Sequence, residues 1–153
     1  MKRRTFFAMF ATSALVAGCS FADSNPSKND RLALPDDALA RLAKFRAEPK
    51  FGPEDISAER PLGYVGYLPP EERPAAEAAL NSLIDRVMAI VKTNPRKSLV
   101  LNEFKSSFEF FRYSDTEDRE RFCSYLEDIM DAVGMKSSDG VINKLMYGFN
   151  LPS

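Results

Sequence analysis

The stretch PAAEAALNSLIDRVMAIVKT, residues 74–93, decides the fold class. Its larger apolar side chains recur at steps of three and one, so that they share one face of a helix: Leu80, Leu83, Ile84, Val87, Met88 and Val91. Pro74 stands where the first turn of a helix tolerates proline, and Asn94-Pro95 ends the pattern. We therefore predict an amphipathic helix over residues 74–93.

Four other segments show helical periodicity. The first lies between Pro35 and Pro49, and its first turn is acidic, as the positive end of the helix dipole favours. The others are predicted at about 96–112, at about 115–133 and, as a short helix, at about 138–147. Hydroxyl residues precede the last two helices, which predicts side-chain caps there: Ser114, with Glu117 completing a capping box, and Ser137 or Ser138.

No segment outside the 50s and 60s alternates between apolar and polar residues as a strand does. The predicted fold is therefore all-α, a compact bundle of four main helices with one or two short helices. We place it in a single domain over residues 35–153. A chain of this size buries roughly two-thirds of its unfolded surface, which is enough for one core.

The segment PKFGPEDISAERPLGYVGYLPP, residues 49–70, is rich in proline and glycine, which predicts a long loop. Tyr64 and Tyr67 lie beside glycines in it. Tyrosines on such a loop offer a large contact area with a polar tip, a pattern that is enriched at binding interfaces. The alternative is that the loop folds back and both rings fill a groove between helices. Either role fits the sequence.

The first residues have the form of a bacterial lipoprotein signal peptide. Basic residues 2–4 precede the uncharged run Phe6–Ala17, which is shorter than the roughly 20 residues that span a bilayer. Val16-Ala17-Gly18-Cys19 resembles a lipobox, so we expect residues 1–18 to be removed by cleavage between Gly18 and Cys19. Residues 19–34 would then be a lipid anchor on Cys19 and a flexible tether. A plain signal peptide with a coincidental cysteine is the alternative.

The export route and the destination follow less directly from the sequence. Arg3-Arg4 resembles a twin-arginine motif, but adjacent arginines also occur in ordinary secretory signals. Ser20, rather than aspartate, follows Cys19, which favours the outer membrane of a Gram-negative cell. We therefore expect a protein of the cell envelope that faces the periplasm.

The composition excludes several kinds of chemistry. Because the chain has no histidine, it has no Ser-His-Asp triad, no Cys-His pair and no histidine-ligated metal. A P-loop, a G-x-G-x-x-G turn and a G-x-S-x-G elbow are also missing from the sequence. We therefore expect no enzymatic activity, no cofactor and no metal. Removing three basic residues with the signal leaves 18 Lys and Arg against 22 Asp and Glu, so we expect no nucleic-acid partner.

Two chemical features of the predicted fourth helix have an ordinary structural explanation beside a functional one. Glu127 and Asp131 are four residues apart on one face, which suits a ligand pair or a solvated surface. Cys123 falls on or beside the apolar face, which favours an inert packing residue over a reactive thiol.

Residues of the second half of the chain resemble an uncharacterised bacterial family, a domain of unknown function. The resemblance covers about 80–150 and is carried by residues 116–121 (TEDRER), 125–131 (YLEDIMD), 138–140 (SDG) and 147–149 (YGF). It implies a small helical domain and transfers no catalytic residue. Arg119, Arg121, Asp139 and Tyr147 are the matched residues that helix formation explains least, so they are candidates for a polar cluster where the last two helices meet.

The tether, the acylation signal and the missing catalytic motifs favour a lipid-anchored, non-enzymatic binding module of the envelope. Its partner would be a protein or a cell-wall component, and one specific form is an immunity or inhibitor protein against a secreted toxin. The alternatives are an envelope hydrolase that acts through two facing carboxylates, and a structural spacer lipoprotein.

Overall fold

A computed structural model describes residues 30–53, 55 and 68–148 of the chain. Five α-helices fill the described part, and it contains no strand beyond an isolated bridge between Arg31 and Arg96. The helices are α1 (Ala38–Ala47), α2 (Arg73–Thr93), α3 (Lys97–Phe111), α4 (Thr116–Ala132) and α5 (Val141–Tyr147). The all-α prediction is confirmed.

The central helix α2 buries the apolar face that its sequence predicts: Leu80, Leu83, Ile84 and Val87 have no exposed surface. Helix α2 packs against α1 and α3, and α4 packs against α1, α3 and α5. Helix α5 also contacts α3, so α3, α4 and α5 meet at one end of the domain. No described helix is both long enough and apolar enough to cross a bilayer.

Aromatic rings fill the core between α3, α4 and the segment after α1. The ring of Phe111 stacks on Phe122 at 4.2 Å and on Phe51 at 5.3 Å between centroids. Phe51 also meets the ring of Tyr125 edge-on at 4.9 Å. Phe51 has a φ of 58°, a conformation that costs a non-glycine residue about 1–2 kcal/mol. Burial of its whole ring offsets that cost, so the first residues after α1 belong to the core.

The helix starts differ from their predictions. Helix α1 begins at Ala38, and Asp36 and Asp37 form a turn before it, closed by the N–H of Ala38 to the carbonyl of Pro35 at 3.1 Å. Asp115, not Ser114, precedes α4, and no side-chain cap bond forms there, so the predicted capping box is wrong. Helix α5 begins only at Val141, and Gly140, in the left-handed region, holds the N-cap position. The hydroxyl of Ser138 still accepts a long hydrogen bond, at 3.4 Å, from the N–H of Ile142 in the first turn.

Residues 30–34, which the sequence places in the tether, are attached to the domain. The carboxylate of Asp30 accepts hydrogen bonds from the backbone N–H and the hydroxyl of Ser98, at 2.8 and 2.7 Å. The N–H of Leu32 donates to the carbonyl of Pro95 at 2.9 Å. Leu32 and Leu34 pack partly buried against the core. The folded part of the chain therefore begins upstream of Pro35. The polar sequence of residues 30–34 did not predict this, because their hydrogen-bond partners lie at the distant start of α3.

Candidate functional site

A groove of about 800 Å³ opens where α3, α4 and α5 meet. Its apolar lining includes Phe108 of α3 together with Val141, Leu145 and Met146 of α5. Helix α3 contributes residues 105, 108 and 109, followed by Arg112 just after its end, and α5 contributes residues 141 and 144–147, followed by Gly148. The residues 105, 108, 109 and 112 follow the i, i+3, i+4, i+7 spacing of one helical stripe, so α3 presents one continuous face to the groove, whereas α5 presents its whole last turn.

Cations dominate the charge of the groove. Lys105, Arg112, Arg119 and Lys144 line it, against the single carboxylate of Glu109. That carboxylate lies 3.3 Å from the guanidinium of Arg112 on the same helix. Within the described residues, neither lysine forms an ion pair. The groove is therefore locally positive, although the chain as a whole carries a formal charge of −1.

Arg119 contributes an unused hydrogen-bond donor. Its Nε is shielded from solvent and has no hydrogen-bond partner among the residues that the structure describes. Its Nη2 reaches only the hydroxyl of Thr116, at a long 3.4 Å. Unsatisfied buried donors are uncommon in native folds because each costs about 1–3 kcal/mol. An acceptor bound in the groove beside Arg119 is one way to meet that deficit.

Two exposed tyrosines also line the groove. Tyr113 is 89% exposed and Tyr147 is 53% exposed. The guanidinium of Arg112 lies 5.7 Å from the centre of the Tyr113 ring, within cation–π range. Tyrosine and arginine are enriched among residues that dominate binding energy, because they combine apolar area with polar tips.

A second polar constellation is buried and serves the fold. The hydroxyl of Tyr125 donates to the carboxylate of Asp55 and accepts from the N–H of Phe51 at 2.9 Å. The guanidinium of Arg121 lies 3.7 Å from the same carboxylate. Burial, together with the Asp55 carboxylate, raises the pKa of Tyr125 above its ordinary value. Because these side chains are all buried, they attach Phe51 and Asp55 to α4 rather than meet a ligand.

The four residues predicted as one polar cluster are divided among three places. Arg119 and Tyr147 line the groove together. Arg121 lies against Asp55. Asp139 accepts a hydrogen bond from Lys97 at 2.6 Å, which lowers the pKa of the Asp139 carboxyl. The two arginines are two residues apart on α4 and therefore point to different sides of it.

The other predicted site residues lie outside the described part of the chain or in its core. Gly18, Cys19, Tyr64 and Tyr67 lie outside the described residues. Cys123 is buried, and burial raises its pKa to about 12, so its thiol stays protonated at neutral pH.

The carboxylate pair of α4 does not grow into a larger site. Burial, and next the charge of Asp131, raise the pKa of Glu127. Among the described residues, no three carboxylate, cysteine or histidine side chains come together in a group that could hold a metal ion. The pair fits the solvated helix face that was one of its two interpretations.

The model of a protein family described as "Domain of unknown function (DUF4844)" matches residues 33–150. The chain belongs to the DUF4844 family. This span contains all five helices and the whole groove, and it extends the resemblance seen over 80–150 in the sequence to nearly the entire domain.

The DUF4844 chain is also similar to a solved structure. This is the crystal structure, at 1.95 Å resolution, of a DUF3571 family protein from Acinetobacter baumannii AYE. The two share 25% sequence identity with a TM-score of 0.60, over 72% of this chain and 89% of that one. No curated protein matches the DUF4844 chain significantly.

Sequence reasoning missed most of the DUF4844 groove. It singled out Arg119 and Tyr147 but not Tyr113 or Lys144. A signal was present, since Lys105, Phe108 and Arg112 have the spacing of one helical stripe. Helical spacing alone does not tell which neighbour a stripe faces, so the meeting of α3 with α5 had to come from the structure.

Proposed function

We propose that this chain is a lipid-anchored, non-enzymatic binding module of the cell envelope, and that it binds a protein partner through the groove between α3, α4 and α5. The observation that carries the proposal is the composition of that groove. It combines four cations, two exposed tyrosines and an apolar floor with a single carboxylate. Such a surface suits recognition.

The same composition weighs against the alternative of a carboxylate-dependent hydrolase at this site. That chemistry needs two carboxyl groups that face each other across a cleft, about 5–10 Å apart. Among the described residues, the groove offers only Glu109, and Arg112 lies beside it. A spacer lipoprotein, the other alternative, would have no use for exposed cations and tyrosines gathered around an apolar surface.

The anchoring part of the proposal rests on the sequence of residues 1–34. A lipid on Cys19 would hold the domain at the envelope, with the outer membrane, periplasmic face, as the destination that Ser20 favours. An immunity or inhibitor protein against a secreted toxin is the specific form that we favour, because such a protein acts by occupying its target and needs no catalytic group.

The anchor is tested by metabolic labelling with a palmitate analogue and by membrane fractionation. The chain has only two cysteines, so Cys123→Ala is a matched control for Cys19→Ala. We expect label and membrane association in the wild type and in Cys123→Ala, and the loss of both in Cys19→Ala. Equal labelling of all three chains, or none in the wild type, would refute acylation at Cys19.

The groove is tested in living cells by a photoreactive amino acid at Tyr113, which is exposed in the groove, and at Lys136, which is exposed outside it. We expect a protein adduct at Tyr113 and none of the same mass at Lys136. The double variant Lys105→Gln, Lys144→Gln should remove that adduct. Lys92→Gln, Lys136→Gln changes the charge equally outside the groove and should keep the adduct at Tyr113. An adduct at Tyr113 that persists without the groove lysines would refute binding through the groove, and the absence of any specific adduct would favour the spacer.

A further inference from the structure

The charges of the groove restrict its ligand. Lys105 and Lys144 form no ion pair within the described residues, and the Nε of Arg119 has no acceptor there. These groups come from three different helices, so they surround the groove rather than follow one helix. A ligand that fills the groove must bring several negatively charged acceptors spaced apart from one another.

Apolar side chains at the surface of the groove favour apolar groups in the ligand as well. Phe108 and Met146 are already almost fully buried, at 7% and 8% exposure, so the apolar surface open to a ligand comes mainly from the partly buried Val141 and Leu145. An inorganic anion or a polar glycan would leave this surface wet. A volume of about 800 Å³ also exceeds what a single ion fills and lies in the range of sites for larger organic ligands.

The surroundings of the groove disfavour an extended polyanion. Beyond the groove the chain has no excess of cations, since it contains 21 Lys and Arg against 22 Asp and Glu in all. A nucleic acid or an anionic membrane would extend beyond the groove and meet acidic as well as basic side chains. A short ligand that places its charges only over the cations avoids that repulsion.

We infer that the groove binds an acidic peptide segment of a partner protein, with at least one large apolar side chain on Val141 and Leu145 and carboxylates against Lys105, Lys144 and Arg119. Tyr113 and Tyr147 supply contact area and hydroxyls for the peptide main chain. The inference rests on the proposed function and specifies the chemistry of the partner.

Selection from a phage-displayed library of random peptides tests this chemistry. The bait is the processed chain, from Cys19 onward. Peptides that also bind the Lys105→Gln, Lys144→Gln variant are discarded, because they bind outside the groove. We expect the enriched peptides to be rich in Asp and Glu with at least one Leu, Ile or Phe. Enrichment of neutral or basic peptides, or none above the variant, would overturn the inference.

Affinities then separate the charge from the apolar contact. For an enriched peptide measured by fluorescence anisotropy, replacing its acidic residues by their amides should weaken binding by about tenfold or more, as several screened ion pairs together allow. Lys105→Gln, Lys144→Gln should have a similar effect, whereas Lys92→Gln, Lys136→Gln should not. Circular dichroism confirms that both variants are folded. Equal affinities for all three chains would place the peptide outside the groove and overturn the inference.

Vesicles of phosphatidylglycerol test the rival anionic surface. Sedimentation of the Cys19→Ala chain with these vesicles, lost in the groove variant alone, would assign the groove to lipid and overturn the peptide inference. Cross-linking to a protein at Tyr113 would still support the proposed function if the selected peptides were not acidic, so the two proposals fail separately.

Discussion

Replacing Tyr125 with phenylalanine removes one oxygen from the centre of the buried polar constellation. That hydroxyl is the contact through which α4 holds Asp55 and the N–H of Phe51, across 70 and 74 residues of sequence. Phenylalanine keeps the ring and its edge contact with Phe51, so the change isolates the hydrogen bonds.

The expected loss of stability is large for a single atom. A hydrogen bond to a charged group contributes about 1.5–3 kcal/mol, and a buried N–H left without an acceptor costs about 1–3 kcal/mol. Relaxation of the segment around Phe51 and Asp55 recovers part of this, so we expect the free energy of unfolding to fall by about 2–4 kcal/mol. That is a substantial share of the roughly 5–15 kcal/mol of a typical domain.

Urea unfolding followed by far-ultraviolet circular dichroism measures the loss, since the chain has no tryptophan to report it. Tyr113→Phe is the matched control, because this tyrosine is 89% exposed and should change stability by no more than about 0.5 kcal/mol. A double-mutant cycle with Asp55→Asn should give a coupling energy of about 0.5–3 kcal/mol. A loss for Tyr125→Phe as small as that of the control, or a coupling of zero, would refute the role of the hydroxyl.

The same variant has a distinct alkaline signature. Because the folded state raises the pKa of Tyr125, the folded chain keeps a proton that the unfolded chain releases above about pH 10. Wild-type stability should therefore fall as the pH rises past that value. The decline should be shallower in Tyr125→Phe, and parallel declines would contradict the assignment.

Three further changes follow from the geometry. Gly134→Ala should destabilise the domain more than Gly148→Ala in thermal melts, although both glycines have positive φ. A Cβ at Gly134 would lie 3.0 Å from the carbonyl oxygen of Ala33 and from Cδ of Pro35, whereas no atom crowds a Cβ at Gly148. Cys123 should react with a disulfide reagent only in denaturant; rapid labelling of the folded chain would contradict its burial and its pKa of about 12. Hydrogen bonds from Ser98 lower the pKa of Asp30, so Ser98→Ala should be less stable than the wild type at neutral pH. This deficit in stability should shrink as the pH falls below about 4 and Asp30 becomes protonated, and a deficit that does not shrink down to about pH 2 would refute the linkage.

The existence and type of every described helix could be predicted from the sequence, and so could the starts of α2, α3 and α4 to within one residue, but the starts of α1 and α5 could not. The helices follow from apolar spacing, which burial of Leu80, Leu83 and Ile84 satisfies directly. The groups that satisfy a helix start can lie far away in the sequence. At the start of α3, for example, Asp30 accepts from Ser98, a residue 68 positions away.

The candidate site could be predicted only in part, for the same reason. Arg119 and Tyr147 stood out because helix formation left them unexplained, and the structure places them in one groove. Arg121 stood out equally but serves the core, since its partner is Asp55 in a segment that helical periodicity does not reach. The sequence identifies polar residues that helix formation does not explain, whereas the tertiary fold decides which of them come together.

The groove depends on the shortest helix of the domain. Helix α5 has seven residues, and isolated helices shorter than about 12–15 residues are marginal in water. Ile142 and Met146, both buried, and the 2.6 Å contact between Lys97 and Asp139 hold α5 against the rest of the domain. A partner that binds Lys144 and Tyr147 would add contacts to this same element, so occupancy and local stability are linked through mass action. The binding surface of this domain therefore depends on tertiary contacts, because α5, which forms one side of the groove, has little stability of its own.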